Sequence, residues 1–239
     1  MVGSTIRKMP LTSKVVLITG ANGGLGTAVT NAFLQAGAKV AGVSKKIQNS
    51  EFPGPNFIAY PGEIGSTDAA RTVVASVIAK WEKIDALVHL VGGFAGGKSV
   101  VETGEATLDQ MLDVNLRAAF HMFRAVLPDM RARGAGRILA IGSRTAVDPQ
   151  PMAGAYSASK AALVSLVRTI ALENKDRGIS ANVILPGTMD TPANRAAMPG
   201  VDPAKWVQPA QVASLLVHLA SDQASEISGA VIPILGGDL

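Results

Sequence analysis

The sequence predicts an α/β fold: one domain, a doubly wound and mostly seven-stranded parallel sheet with helices on both faces. Three observations predict it. Short apolar, β-branched runs alternate with longer segments of helical period along the chain, the pattern of successive βαβ units. The runs are continuously apolar rather than alternating, as strands buried on both faces require. No linker, repeat or low-complexity segment divides residues 1–239, a length at which one domain buries a substantial core.

Residues 14–19, Lys-Val-Val-Leu-Ile-Thr, read as the first strand. They run into Gly20-Ala21-Asn22-Gly23-Gly24-Leu25-Gly26 and then into a helix with Ala28, Ala32, Phe33 and Leu34 before Gly37. Strand, glycine turn and helix form the context of a dinucleotide-binding, Rossmann-like fold. The glycines let the backbone approach a pyrophosphate, and the helix N-terminus offers it free N–H groups. The glycine spacing is G-x-x-x-G-x-G, not G-x-G-x-x-G.

Residues 39–43 are the second strand, 52–55 a proline-glycine loop and 56–60 the third strand. Ser66-Thr67-Asp68 caps a helix running through Trp81. Residues 85–91 form the fourth strand, and 92–104 a glycine-rich loop. A long helix is expected from about 107 to 133, with Pro128 marking a kink or early stop. Residues 137–142 are the fifth strand. A second long helix is expected over 152–177, its buried stripe being Leu163, Leu166, Val167 and Ile170. The sixth strand covers 179–185, a helix 209–220 and a last strand 230–235.

Composition excludes several classes. The net charge is +4, but the basic residues, among them Arg7, Lys8, Lys14, Lys45, Lys46, Arg131, Arg133 and Arg137, form no dense cluster with interleaved aromatics. Nucleic-acid binding is not expected; a solvated surface and an anionic cofactor account for the balance. No apolar run approaches the roughly 18 residues of a membrane span, and the longest, 161–172, is broken by Arg168. The apolar stretch after Arg7 and Lys8 is too short for a secretory signal. Without cysteine there is neither a disulfide framework nor a thiolate metal site. His89, His121 and His218 are scattered, so they read as packing or surface residues and no metal is expected. A cytoplasmic enzyme is the expectation.

The chemistry concentrates in Tyr156-Ser157-Ala158-Ser159-Lys160. A phenol and an ammonium four residues apart share one helical face. A neighbouring cation favours the phenolate and is expected to lower the tyrosine pKa from about 10. That would make Tyr156 a general acid/base.

Thr19-Gly20-x-x-x-Gly24-x-Gly26, Ser143 thirteen residues before Tyr156, and Tyr156-x-x-x-Lys160 together resemble the short-chain dehydrogenase/reductase family. The resemblance spans essentially the whole chain. It includes Asn115 in Asp113-Val114-Asn115-Leu116, Pro186-Gly187 with Thr191, and Gly236-Gly237. It implies NAD(P)-dependent hydride transfer to a small-molecule carbonyl. Tyr156 would donate the proton, Ser143 would orient the carbonyl oxygen, and Lys160 would tune Tyr156 and hold the nicotinamide ribose. Asn115 would hold a water that links Lys160 to solvent. Cofactor contacts are implied for Gly20, Asn22, Gly23, Gly24, Leu25, Gly26, Val91, Gly92, Gly93, Pro186, Gly187 and Met189. Thr191 would bind the carboxamide, and Glu63-Ile64 resembles the Asp-Val pair that flanks adenine.

Residues 89–97 and 188–195, with Met198-Pro199 and Trp206, more closely resemble dihydropteridine reductases. Two departures from that branch are Ser143 and, after the second strand, Ser44 in place of an acidic residue. Ser44 is followed by Lys45 and Lys46, which would attract a 2′-phosphate; NADP(H) is therefore expected over NAD(H). Residues 188–206 are expected to be a substrate lid. Phe94, Met152, Met189, Met198 and Trp206 are candidates to line an apolar pocket, and Arg144 and Arg195 to meet an anion. The alternatives are reduction of a quinonoid pterin, reduction of a 3-oxoacyl thioester, and a nucleotide-sensing protein without turnover. The resemblance also implies a homodimer or homotetramer through the two long helices, where Ala155, Ser159 and Ala162 serve either close helix approach or internal packing.

Overall fold

A computed structural model describes residues 11–237; Arg7 and Lys8 lie outside them. Seven strands form one sheet: β1 (Val15–Thr19), β2 (Lys39–Ser44), β3 (Phe57–Pro61), β4 (Ala86–His89), β5 (Gly136–Ile141), β6 (Ile179–Pro186) and β7 (Val231–Ile234). Their order is β3-β2-β1-β4-β5-β6-β7, and every neighbouring pair is parallel.

Successive residues of one strand enter opposite cores, as strand geometry dictates. Val15 and Leu17 of β1 join a core with Leu87, Ile138 and Ala140. Val16 and Ile18 join a second with Val88, Leu139 and Ile141. The first core is closed by α2 (Thr67–Trp81), α4 (Ala118–Arg133) and α5 (Gly154–Glu173), through Val77, Met122, Phe123, Val126, Leu163 and Val167. The second is closed by α1 (Gly26–Gln35) and α7 (Pro209–Ala220), through Val29, Phe33, Val212 and Leu216. This two-sided burial is why β1, β4 and β5 are apolar along most of their length.

Two helices differ from expectation. The helix expected over 107–133 starts as α3 (Glu105–Leu112), passes through a π-helical turn at Asp113–Arg117 and resumes as α4. Pro128 lies inside α4, which continues to Arg133. The fully buried Val126 and Met130 on either side hold the helix on the sheet despite the missing N–H. The helix expected over 152–177 is shorter. Met152 adopts a φ of 61°, in the left-handed region, and cannot enter a right-handed helix. At the other end Asn174 closes α5: its Nδ2 donates to the Ile170 carbonyl at 2.7 Å and its Oδ1 accepts from Arg131 Nε at 2.6 Å. Elsewhere local signals hold: Ser66 Oγ accepts from Ala69 N at 3.2 Å and caps α2.

The residues expected to form a lid contain α6 (Pro192–Ala197) and a 3₁₀ turn at Pro203–Lys205. A bridge from Met189 to Val207 fastens its two ends. Gly236 and Gly237 dock there as well, Gly237 N donating to the Lys205 carbonyl at 2.9 Å. Among the described residues no helix is long and apolar enough to cross a membrane.

Candidate active site

Chain order reverses between β1 and β4, which leaves a crevice at their carboxyl ends. Gly20 follows β1 with a φ of +71°. A Cβ at Gly26 would stand 1.9 Å from the Gly20 carbonyl oxygen, so only glycine lets α1 begin so close to the strand. The first turn of α1 has neither a side-chain cap nor an acidic residue. Thr27 N donates to the Gly23 carbonyl at 3.0 Å, no side chain caps the rest of the turn, and the loop is a cradle that fits a dinucleotide pyrophosphate. A Cβ at Gly24 would meet the Thr191 side chain at 3.1 Å, which places the lid directly against this loop. Thr191 Oγ1 accepts from Asn194 N at 3.3 Å and caps α6.

At the end of β4, Gly92 and Gly93 meet Asn115. Its Oδ1 accepts from Gly93 N at 2.9 Å, and its Nδ2 donates to the Gly93 carbonyl and to Ser159 Oγ, both at 3.0 Å. Ser159 Oγ in turn donates to the Tyr156 carbonyl at 2.7 Å. The π-helical turn carries Asn115, fully buried, between the loop after β4 and the helix bearing Tyr156. A Cβ at Gly92 would lie 2.9 Å from Asn115 Oδ1 and 3.0 Å from Lys160 Nζ, so glycine is required there too.

Lys160 is buried and donates from Nζ to the Ile141 carbonyl, at the end of β5, at 2.9 Å. Burial lowers its pKa to about 8. Ser143 follows β5. Its Oγ accepts from Thr145 N at 3.3 Å, capping the turn Arg144–Ala146, and hydrogen-bonds Tyr156. The expectation that Lys160 holds the phenol below 10 is corrected here. Burial raises the Tyr156 pKa, and the bond with Ser143 offsets only part of the rise. The ammonium is directed to the strand-end carbonyl instead.

Beneath the cleft His89 is fully buried. Its Nδ1 lies 3.0 Å from Thr19 Oγ1, which also accepts from Leu90 N at 3.2 Å. The histidine pins β4 to β1. Burial and, secondarily, the charge of Lys160 lower its pKa to about 3.

At the other end of the crevice, Ser44 ends β2 and Ile64 is buried after β3. Lys45 pairs with Glu63 at 2.7 Å. Sequence reasoning missed Glu51: its carboxylate accepts from Asn22 Nδ2 at 3.0 and 3.2 Å and from Gln48 N at 2.8 Å. The Gln48-x-x-Glu51 spacing of a capping box was the available signal.

The expected pocket residues separate. Phe94 stands against Tyr156, with ring centroids 5.0 Å apart at 76°. Trp206 is buried. Arg195 is held by Asp190 through contacts of 2.5 and 2.8 Å, which corrects its reading as an anion receptor; Arg144 pairs with Asp148 at 3.7 Å. Otherwise the residues singled out in the sequence collect at the carboxyl edge of the sheet: Gly20 to Gly26 after β1, Ser44 and Lys45 at β2, Glu63 and Ile64 after β3, Val91 to Gly93 after β4, Ser143 after β5, and Pro186, Gly187 and Met189 at β6.

A parallel doubly wound sheet with a glycine cradle at its switch point, beside a phenol, a serine hydroxyl and a buried lysine, defines a dinucleotide-dependent oxidoreductase. Comparison with known proteins narrows the class. Residues 14–201 match the family model of short chain dehydrogenases. Dehydrogenase/reductase SDR family member 4 of Bos taurus is 30% identical over 98% of this chain and 90% of its own length. The 3-oxoacyl-(acyl-carrier-protein) reductase FabG of Thermotoga maritima is 31% identical over 96% and 99%. A short-chain dehydrogenase/reductase from Serratia marcescens superposes with a TM-score of 0.87 at 30% identity, covering 96% of this chain and 99% of that one. ElxO with NADP bound shares the fold, with a TM-score of 0.88 at 24% identity over 94% and 98%. The chain belongs to the short-chain dehydrogenase family, whose members use a nicotinamide cofactor.

Proposed function

We propose that the protein is an NADPH-dependent reductase of a small-molecule carbonyl, with Tyr156 as general acid. The observation that carries this reading is the placement of Tyr156 beside Ser143 and one helical turn from the buried Lys160 at the strand-end cleft, next to a glycine loop fit for the pyrophosphate. Residues 20–26 and 91–93, with Pro186, Gly187, Met189 and Thr191, would hold the cofactor; a reduced nicotinamide bound there supplies hydride. The chain's own residues manage the oxygen. A phenol with a raised pKa is fully protonated at neutral pH, the state a proton donor needs. The Ser143 hydroxyl orients the carbonyl oxygen and stabilises its developing charge. Lys160, protonated below about pH 8 and held by the Ile141 carbonyl, lies one helical turn from Tyr156, where it would bind the nicotinamide ribose. Asn115 is a positioning residue: it fixes Gly93 and, through Ser159, the turn that carries Tyr156. The water-binding role implied for it falls to the acceptor capacity remaining on Oδ1, since its Nδ2 already donates to Gly93 and Ser159.

The NADPH preference rests on Ser44, Lys45 and Lys46, with no carboxylate at the end of β2 to repel a 2′-phosphate. A second reading, reduction of a 3-oxoacyl thioester, is favoured by the similarity to FabG over nearly its full length.

The test is NADPH consumption with simple ketones, β-ketoacyl thioesters and quinonoid dihydropterin. Tyr156→Phe is expected to lose about 10²- to 10⁴-fold in kcat, the scale of general acid catalysis. Ser143→Ala is expected to lose activity comparably. Activity that survives Ser143→Ala but not Tyr156→Phe would favour pterin reduction. No turnover with any of the three classes would defeat the reading.

A further inference from the structure

Phe94 is 70% exposed, yet its position is fixed from three sides. Asn115 grips Gly93, the preceding residue, by both its N–H and its carbonyl. Gly97 N donates to the Met152 carbonyl at 2.8 Å, tying the far side of the loop to the start of α5. A Cβ at Gly96 would lie 2.7 Å from Phe94 Cζ and 2.9 Å from the Met152 carbonyl oxygen, so the phenyl ring occupies space that only glycine at 96 leaves open. Held this way, the ring meets Tyr156 edge to face, an arrangement aromatic quadrupoles favour. One face of a rigid aromatic is left bare next to the proposed proton donor.

The surroundings continue the apolar character. Val100 and Met152 are also exposed, and Val100 packs toward Gly154, where a Cβ would meet it at 3.0 Å. A preorganised, exposed aromatic loses no conformational freedom when a flat partner covers it, which is how rigid anchors add to affinity.

We propose that Phe94 forms the floor of an aromatic subsite, so that the preferred substrate is an aryl ketone whose ring lies on Phe94 while its carbonyl oxygen reaches Tyr156 and Ser143. This rests on the reductase reading above and adds to it the substrate class. A flexible acyl chain gains little from a flat, fixed ring compared with any other apolar surface.

The experiment compares acetophenone with cyclohexyl methyl ketone, equal in carbon skeleton but not planar, in wild type, Phe94→Leu and Gly96→Ala. Phe94→Leu keeps an apolar side chain and removes the flat face; Gly96→Ala displaces the ring. Each variant is expected to lose about tenfold more in kcat/KM on acetophenone than on the cyclohexyl ketone, mainly through KM, with NADPH affinity and thermal melting as controls for folding. Binding of 1-phenylethanol and 1-cyclohexylethanol to the NADPH complex, in which the alcohol has no hydride acceptor, followed by saturation-transfer NMR, gives a readout without turnover. Equal losses on both ketones overturn the proposal, as does a β-ketoacyl thioester turned over better than acetophenone and unaffected by Phe94→Leu. Phe94-dependent binding of 1-phenylethanol without ketone turnover would keep the subsite and defeat the reductase reading. Neither binding nor turnover would defeat both.

Discussion

Burial moves three groups around the cleft toward their neutral forms: Tyr156 upward, Lys160 and His89 downward. For His89 this has a consequence for stability. Its folded pKa of about 3 lies below the 6.5 of the unfolded chain, so the unfolded state takes up the proton first. The associated stability is present above pH 6.5 and is lost as pH falls from there toward 3. Between pH 7 and 5 the loss amounts to about 2 kcal/mol. Lys160 does not titrate in that window, since its folded pKa of about 8 and its unfolded value both lie above it. His89→Asn keeps a polar partner for Thr19 without a titrating ring. Urea unfolding of wild type at pH 7 and pH 5 is expected to show a drop that the variant lacks; parallel drops would mean that other groups carry the acid sensitivity. None of these ionisation states was legible in the sequence. The Tyr156–Lys160 spacing correctly placed both on one helix, but the sign of the phenol's shift depends on how deeply the sheet and the loop after β4 bury it.

Elements show the same division between local and tertiary information. The glycine turn and α1 were readable because positive φ and a 1.9 Å approach admit no other residue. The π-helical turn was not, because one extra residue per turn leaves the apolar spacing around Asn115 nearly unchanged. At the ends of β2 and β3 the lysines were visible in the sequence, but their partner was not. Lys45 is paired with Glu63, both exposed. A 2′-phosphate at Ser44 must compete with that carboxylate for the lysine. Glu63→Gln should therefore tighten NADPH binding about threefold to fivefold, the scale of an exposed ion pair, and leave NADH nearly unchanged. Ser44→Asp should reverse the preference by adding repulsion. Fluorescence titration with both cofactors measures these affinities, and unchanged relative affinities in both variants would remove the proposed basis for NADPH selection.

On the scale of the whole molecule, the sheet was legible because its central strands are mostly apolar on both faces, and the burial of both cores follows from that. What the chain leaves bare was less legible. Ala155 and Ser159, read as a possible surface for helix approach, are buried inside the protomer, with Ser159 bonded to Asn115. The open apolar face lies further along the same helices. Between α4 and α5 is a cavity of about 500 Å³ whose lining includes Phe120, Leu127, Leu166 and Ile170. Phe120 is 44% and Leu172 73% exposed. Phe120 on such a face is destabilised by water unless something covers it, and the cavity is rimmed by Arg124 and by the Arg131–Glu173 pair at 3.3 Å, polar groups that an identical, rotated partner can meet. We propose that a second copy of the chain covers this face, giving a homodimer or homotetramer. Light scattering coupled to gel filtration should find two or four chains per particle. Phe120→Arg should shift the particle toward one chain, because it buries a cation against its own symmetry mate. A wild-type protein that runs as a monomer at micromolar concentration would show that α4 and α5 face solvent instead.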